Sequence, residues 1–107
     1  MATTKFEGFL QEGVWRTEWP SLVAADDGDA ASLSKWPSKS VQVIGAGGVD
    51  IEGSNDGVTW SILDDATGSP LNAATMTGGI IKDVLQNTTF IRPANATGNA
   101  QVIIIAT

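Results

Sequence analysis

Apolar and polar residues alternate most clearly in residues 40–63, SVQVIGAGGVDIEGSNDGVTWSIL. The alternation runs through VDIE before the SNDG segment and through VTWSI after it, and period two on both sides of a turn predicts a β-hairpin. Asn, Asp and Gly accept the positive φ angles of a tight reversal, so the turn chemistry agrees. A preceding strand at VQV makes a three-stranded antiparallel unit the expected nucleus of the fold.

Short β-like segments separated by turn signals fill the rest of the chain. LVAA at residues 22–25 leads into the acidic turn DDGD, FIRP at residues 90–93 ends at a proline, and QVIIIA at residues 101–106 is a continuous apolar run. That run predicts a last strand that is buried on both faces or lies in an interface. About seven or eight antiparallel strands with frequent turns are typical of an all-β sandwich or jelly roll.

Residues 1–19 lack a sustained pattern but are rich in large apolar side chains. We therefore divide the chain into an N-terminal arm, residues 1–19, and a β-sandwich domain, residues 20–107. Such an arm either packs as an edge strand or lid on its own domain or reaches a neighbouring subunit, since aromatic residues are enriched in interface cores. The residues expected to form the core are Val41, Val43, Trp60, Ile62, Phe90, Val102 and Ile104.

The amino-acid composition limits the kinds of site and partner that we expect. The chain has neither Cys nor His, so we expect no disulfide, no zinc site and no cofactor, and the usual general base is missing. Twelve acidic and six basic residues give a formal net charge of −6 without a basic patch, which disfavours nucleic-acid binding. No apolar stretch is long enough to cross a bilayer, and no leader pattern opens the sequence, so we expect no membrane association and a cytoplasmic site of synthesis.

Two acidic features could carry chemistry. The DDGD segment could bind Ca²⁺, but the closing Glu of an EF-hand-type loop is absent. Asp50 and Glu52 would share one face of a strand as a glycosidase pair does, but a solvated outer face is the simpler interpretation. We therefore predict a protein that is not an enzyme and has no metal site.

Several motifs in order resemble small head decoration, or cement, proteins of tailed bacteriophages. The motifs are WPSLVAADDG, SVQVIG, VDIEGSNDGVTWSILDDATGSPL and FIRP before a β-rich C-terminus, and together they span about four fifths of the chain. The resemblance implies a β-sandwich of jelly-roll type, a homotrimer, and a place on the outer capsid surface of a virion assembled in the host cytoplasm. Its partner there would be the major capsid protein.

The aromatic residues near the N-terminus are the candidates for capsid or inter-subunit contact: Phe6, Phe9, Trp15, Trp19 and Trp36. Two alternatives remain open. The GSNDG hairpin before a Trp is also similar to discoidin-like sandwiches, which would make the chain a carbohydrate-binding module, and a tail or baseplate structural component would share the same fold and composition.

Overall fold

The described chain is built from β-strands alone. A computed structural model describes residues 2–107, and it contains no helix within that range, hence none with the length and apolarity that crossing a membrane requires. The strands are β1 (Ala2–Thr3), β2 (Phe6–Gln11), β3 (Val14–Leu22), β4 (Asp27–Gly28), β5 (Ala31–Ser32), β6 (Lys39–Ile44), β7 (Asp50–Ser54), β8 (Ser61–Ile62), β9 (Ile80–Asp83), β10 (Phe90–Ala94) and β11 (Ala100–Ala106).

Two antiparallel sheets contain most of these strands. One has five strands in the order β2-β3-β11-β6-β9, the other has four in the order β5-β10-β7-β8, and a short parallel pair joins β1 to β4. The all-β prediction is confirmed. The strand count exceeds the expected seven or eight because β1, β4, β5 and β8 are two residues long, too short to produce a pattern of period two in the sequence.

The pairing of the strands is nested. β7 pairs with β8, β6 with β9, β5 with β10 and β3 with β11, and every one of these pairs is antiparallel. Apart from β4, which pairs with β1, the chain alternates between the five-stranded and the four-stranded sheet from β3 to β7, and strands β8 to β11 alternate in the reverse order. The strands before the β7–β8 turn therefore pair in reverse order with the strands after it, as the two arms of one long hairpin do, and successive pairs lie in alternate sheets.

The core lies between the sheets and follows the alternation of the central strands. Along β11, buried and half-buried residues alternate without a break, and β6 does the same from Lys39 to Val43. Four of the predicted core residues, Val41, Val43, Val102 and Ile104, are fully buried as expected. Burying a Val or Ile side chain stabilises a fold by about 1.5–3 kcal/mol, so these two strands anchor the sandwich.

The predicted hairpin exists as β7 and β8. Its second strand is shorter than the sequence pattern suggested, and the residues expected to face the core do not do so. β8 contains two residues, Val58 lies outside it with 81% of its surface exposed, and Ile62 is 42% exposed. The Asp56 carboxylate accepts hydrogen bonds from the N–H groups of Val58 and Thr59, both at 2.8 Å. These bonds hold the loop out of the sheet, so Leu63 faces the core instead of Ile62.

Two further expected core residues, Trp60 and Phe90, are only half-buried. Phe90 lies on β10, where its neighbour Ile91 takes the inward position and is fully buried. Trp60 precedes β8 and packs under the guanidinium of Arg92, whose Cζ lies 4.2 Å from the ring centroid. Both aromatic rings therefore cover the outside of the four-stranded sheet.

The expected three-stranded unit of β6, β7 and β8 does not form. β6 belongs to the five-stranded sheet, where it pairs with β11 and β9, because residues 45–49 cross from one sheet to the other. The crossing is tight: a Cβ on Gly48 would lie 2.1 Å from the Ala73 carbonyl oxygen. Two hydrogen bonds hold the backbone of this crossing. The Gly47 N–H donates to the Asn99 carbonyl oxygen at 2.9 Å, and the Gly48 N–H donates to Thr97 Oγ1 at 2.8 Å.

The described part of the N-terminal arm lies in the sandwich, and Met1 lies outside the described residues. β2 is the edge strand of the five-stranded sheet, and β3 lies between β2 and β11. The boundary drawn at residue 19 falls inside β3. Of the described arm, only β2 therefore takes the edge-strand position; residues 14–19 belong to an inner strand, and β1 pairs with β4 outside the two large sheets.

Candidate functional site

The edge hairpin of β2 and β3 carries the largest exposed apolar side chains of the described chain. It turns at Gly13, whose φ of 76° suits glycine, and Phe9 lies directly opposite Trp15, with a register shift before Gln11. Phe6, Phe9 and Leu10 each keep between 61% and 63% of their surface exposed. An exposed apolar edge strand invites pairing or packing with another chain.

Three aromatic rings meet beside this edge, and we call Phe9, Trp15 and Trp36 the aromatic cluster. The centroids of Phe9 and Trp15 lie 5.0 Å apart with the rings perpendicular, and those of Trp15 and Trp36 lie 6.1 Å apart with the rings 21° from parallel. Phe9 also meets Trp36 edge-on at 5.9 Å. These are the distances and orientations that favour aromatic pairs, so the cluster is a fixed surface.

A buried lysine holds the loop that presents Trp36. Lys39 is almost completely buried, and its ammonium group donates hydrogen bonds to the carbonyl oxygen of Trp36, to that of Leu33 at 3.5 Å and to Asn87 Oδ1 at 2.5 Å. Burial lowers the pKa of Lys39 below its ordinary value. Because three oxygens converge on the ammonium, its role is to fix the loop of residues 33–38.

The aromatic cluster lines an open cavity of about 350 Å³ together with Ser32, Ser34 and Lys35. Lys35 Nζ lies 5.5 Å from the centroid of the Trp36 ring, within cation–π range. On the other side of β2 a shallower hollow of about 230 Å³ is lined by Phe6, Gly8, Leu10, Arg16 and neighbouring residues. Both faces of the edge strand thus offer concave, partly apolar surface to a partner.

The structure brings three of the five candidate contact residues together. Phe9, Trp15 and Trp36 form the cluster, and Phe6 is exposed on the opposite face of β2. Trp19 is different: its side chain is fully buried, and its Nε1 donates to the Asp29 carbonyl at 2.9 Å. This corrects the expectation for Trp19, because a side chain with no accessible surface cannot contact another protein.

Sequence reasoning missed Leu10 as an exposed edge residue and missed the residues that line the cavity: Ser32, Ser34 and Lys35. Leu10 shares the apolar character of the arm, so composition gave a signal. The three cavity residues lie 10 to 13 positions beyond the end of the hairpin at Leu22, and no local pattern connects them to it. Ser34 and Lys35 belong to the loop that Lys39 anchors, and Ser32 directly precedes it, so this loop positions them beside the hairpin.

The acidic residues considered for catalysis or for Ca²⁺ binding have partners within the chain. Glu52 forms an ion pair with Arg92 at 3.0 Å, while Asp50 accepts from Ala73 N–H at 2.8 Å and from Asn95 Nδ2 at 3.0 Å. In the DDGD turn, Asp27 accepts from Asn95 N–H at 3.0 Å. Across residues 2–107 no three acidic side chains are placed to hold a metal ion together.

Comparison with known proteins identifies a shared fold. A scan of protein-family models finds no match, and a search of curated proteins finds no related sequence. Among solved structures, the chain is similar to SPBc2 prophage-derived protein YomS, with a TM-score of 0.62 and 12% sequence identity, over 95% of this chain and 91% of that one. At this identity the likeness concerns the fold, and it extends over nearly the whole of both chains.

Proposed function

We propose that this chain is a structural virion protein of a tailed bacteriophage, a head decoration or cement protein that binds the outer capsid surface. It would contact adjacent major capsid subunits, stabilise their junctions and assemble as a homotrimer, without enzymatic activity or a cofactor. The prophage origin of YomS, whose fold is similar, supports a phage protein. The order of the sequence motifs supports the decoration role.

We further propose that the sandwich is a jelly roll. In that architecture eight strands form two sheets and carry two Greek keys, and the type recurs in viral capsid domains. The nested pairs from β7–β8 out to β3–β11 support the assignment, because a long hairpin rolled over itself gives that order. β2 would then be an addition to the edge of one sheet.

The observation that carries the proposed function is the aromatic cluster beside an unpaired edge strand. Aromatic residues are enriched in interface cores, and here Phe9 of the cluster and two other residues of the same strand, Phe6 and Leu10, are each more than half exposed. The hydrogen bonds of the Lys39 ammonium group hold the loop that carries Trp36 in place without a partner. A preorganised surface loses less conformational entropy on binding than a flexible one.

Binding of this kind stabilises a shell by mass action. A protein that binds only the assembled lattice stabilises it by RT ln(1 + [L]/Kd), about 2.7 kcal/mol per site at a hundredfold excess over Kd. Many copies on one shell multiply the effect. The net charge of −6 suits a protein that must stay soluble when it is crowded on a surface.

Co-sedimentation with capsids that lack decoration tests the proposal. Trp36→Ser with Phe9→Ser is expected to lower capsid binding at least tenfold, since interface hot spots cost about 2 kcal/mol or more when they are truncated. Val58→Ser, at an exposed residue in a distant loop, is the matched control and should bind like the wild type. Full binding by the double variant would contradict this site.

A carbohydrate-binding module is the second candidate, and the cavity favours it specifically. Aromatic rings beside the hydroxyls of Ser32 and Ser34 and the ammonium of Lys35 combine an apolar platform with hydrogen-bonding groups, as ligand sites do. Saturable binding on a glycan array, abolished by Trp36→Ala, would support this function in place of the first. A tail or baseplate role would instead appear as binding of labelled protein to tails and not to heads.

A further inference from the structure

Lys35 differs from the other basic residues of the chain. Four of the six form ion pairs with carboxylates at 3.0–3.5 Å: Lys5, Arg16, Lys82 and Arg92. Lys39 is buried, and its ammonium group donates to neutral oxygens. Lys35 is exposed, and no carboxylate within residues 2–107 forms an ion pair with it. Its charge is therefore available to an anion from outside the chain.

The Lys35 ammonium group lies at the cavity of the aromatic cluster. Its Nζ is 5.5 Å from the centroid of the Trp36 ring, a placement that cation–π attraction favours. The chain has a formal net charge of −6, yet none of the six residues that line this cavity is acidic. The cavity is thus a small positive site on an acidic protein.

The polar groups of the cavity suit a negatively charged acceptor. The Lys35 ammonium has three N–H donors and cannot accept, and the hydroxyls of Ser32 and Ser34 each have one O–H to donate. All three residues line the cavity, and no carboxylate or side-chain amide of the described chain lines it with them. The anionic group that an unmodified protein partner offers is the carboxylate of Asp or Glu.

The aromatic walls determine the rest of the occupant. Phe9, Trp15 and Trp36 line a cavity of about 350 Å³, and their ring centroids lie 5.0–6.1 Å apart. Walls of this kind take up apolar groups, while a few polar groups fix their orientation. The cavity therefore suits a large apolar side chain that stands next to a carboxylate.

The net negative charge of the chain does not prevent this contact. At physiological ionic strength, exposed charges farther apart than about 8 Å are largely screened from each other. The charges that act on a bound carboxylate are therefore those at the cavity itself, where Lys35 supplies the charge among the lining residues.

We propose that the cavity of the aromatic cluster binds an acidic segment of the partner protein, with a large apolar side chain against the aromatic rings and a neighbouring carboxylate paired with Lys35. The identity of that partner, the major capsid protein, rests on the proposed function, whereas the preference for a carboxylate is a property of the cavity alone. Charge complementarity contributes to specificity more than to affinity. Lys35 thus selects which segment of the partner binds.

Two small probes of similar shape test the cavity without any capsid. Phenylpropionate carries a phenyl ring and a carboxylate, and phenylpropionamide replaces the carboxylate with a neutral amide. In an NMR titration the indole N–H signals of Trp15 and Trp36 should shift, while those of Trp19, which is fully buried, and of Trp60, which packs under Arg92 on the other sheet, should not. Phenylpropionate should bind about threefold more tightly than the amide, the size of effect typical of an exposed ion pair.

Lys35→Met separates the charge of the site from its apolar walls. Methionine keeps an apolar side chain but removes the ammonium group, so the two probes should bind this variant equally. Val58→Glu lowers the net charge by the same amount in a distant loop, where the residue is 81% exposed. This control should keep the preference of the wild type for phenylpropionate.

Co-sedimentation with undecorated heads supplies a second and separate measurement. Lys35→Met should lower capsid binding about threefold and Lys35→Glu about tenfold, because a pair is first lost and then replaced by like charges, while Val58→Glu should bind like the wild type. If the wild type prefers phenylpropionate but does not bind heads, the proposed function fails and the carboxylate preference of the cavity stands.

Four results would overturn the inference. They are the absence of any shift of the Trp15 and Trp36 signals with phenylpropionate, equal affinity of the wild type for the two probes, a Lys35→Met variant that keeps the preference, and unchanged capsid binding by Lys35→Glu. Glucuronate that shifts the same two signals where phenylpropionate does not would also overturn it, and would assign the cavity to acidic sugars.

Discussion

At the scale of single residues, two aspartates fix loops of the four-stranded sheet. The Asp56 carboxylate accepts the N–H groups of Thr59 and Val58 and the Ser54 hydroxyl, and these bonds lower its pKa from 3.8 to about 2. Asp65 accepts the Thr67 hydroxyl at 2.6 Å and the Ser69 N–H at 3.1 Å, and its pKa is likewise lowered to about 2. Both carboxylates favour the folded state only while they are ionised.

Replacement of either aspartate should therefore destabilise the protein in a pH-dependent way. The contribution is fully present above the unfolded-state pKa of 3.8 and is lost as the pH falls through the folded-state value of about 2. Asp56→Asn should lower the urea midpoint at pH 7, and its difference from the wild type should shrink between pH 4 and pH 2. Urea titrations across this range measure both effects.

A surface carboxylate supplies the control for that titration. Glu12→Gln removes the same charge from the exposed turn between β2 and β3, and surface changes of this kind usually stay within about 0.5 kcal/mol. A constant difference between Asp56→Asn and the wild type at every pH would show that the turn does not depend on the ionised carboxylate.

At the scale of elements, the crossing between β6 and β7 decides which sheet each strand joins. Period two identified β6 and β7 as strands, but no local pattern shows that a glycine-rich loop changes sheets instead of turning back. The answer depends on Gly48 meeting Ala73, which lies 25 positions later in the chain. Long-range contacts of this kind are invisible to periodicity.

Gly48→Ala tests the crossing. The added Cβ would lie 2.1 Å from a backbone oxygen, so the loop must shift, and we expect a loss of about 1–3 kcal/mol in the free energy of unfolding. Gly8→Ala adds the same atom in β2, where nothing lies within 4 Å, and should change stability by less than about 0.5 kcal/mol. Equal midpoints in chemical denaturation would show that the crossing is not tight.

Which residues of a strand face the core was harder to predict than the presence of the strand. Val41, Val43, Val102 and Ile104 lie in continuous alternating segments, and the pattern placed them in the core correctly. Ile62 follows a loop that the Asp56 carboxylate holds out of the sheet, and such a loop resets the alternation. The hydrogen bonds from the Asp56 carboxylate to the backbone, and not the hydrophobic pattern, therefore determine that Leu63 faces the core and Ile62 does not.

At the scale of the whole molecule, the sandwich exposes apolar side chains in two places. The aromatic cluster lies at the β2 edge, and Ile44 and Ile81 are exposed on the outside of the five-stranded sheet. The sequence predicted contact residues among the aromatic residues of the arm and a last strand, QVIIIA, that is buried on both faces or lies in an interface; both stay predictions. Which aromatic residues are fully buried was not predictable, because Trp15, which is half-buried, and Trp19, which is fully buried, lie on one strand.

Truncation separates the edge strand from the rest of the sandwich. Thr17 and Trp19 are fully buried on β3, so a deletion must spare residues 14–22. Removal of residues 1–12 should leave a folded domain, because β3 keeps its pairing with β11, but capsid binding should fall at least tenfold. Circular dichroism checks the fold and co-sedimentation checks binding; unchanged capsid occupancy would contradict a role for the edge.

The proposed stabilisation of a phage head from outside is tested most directly with the unmodified protein. Increasing amounts of protein are sedimented with undecorated heads of a tailed phage, and the bound protein is quantified in the pellet. We expect saturable binding at a fixed number of copies per head, together with greater resistance of the decorated heads to heat. Protein that stays in the supernatant at every concentration, with heads no more stable than before, would contradict it.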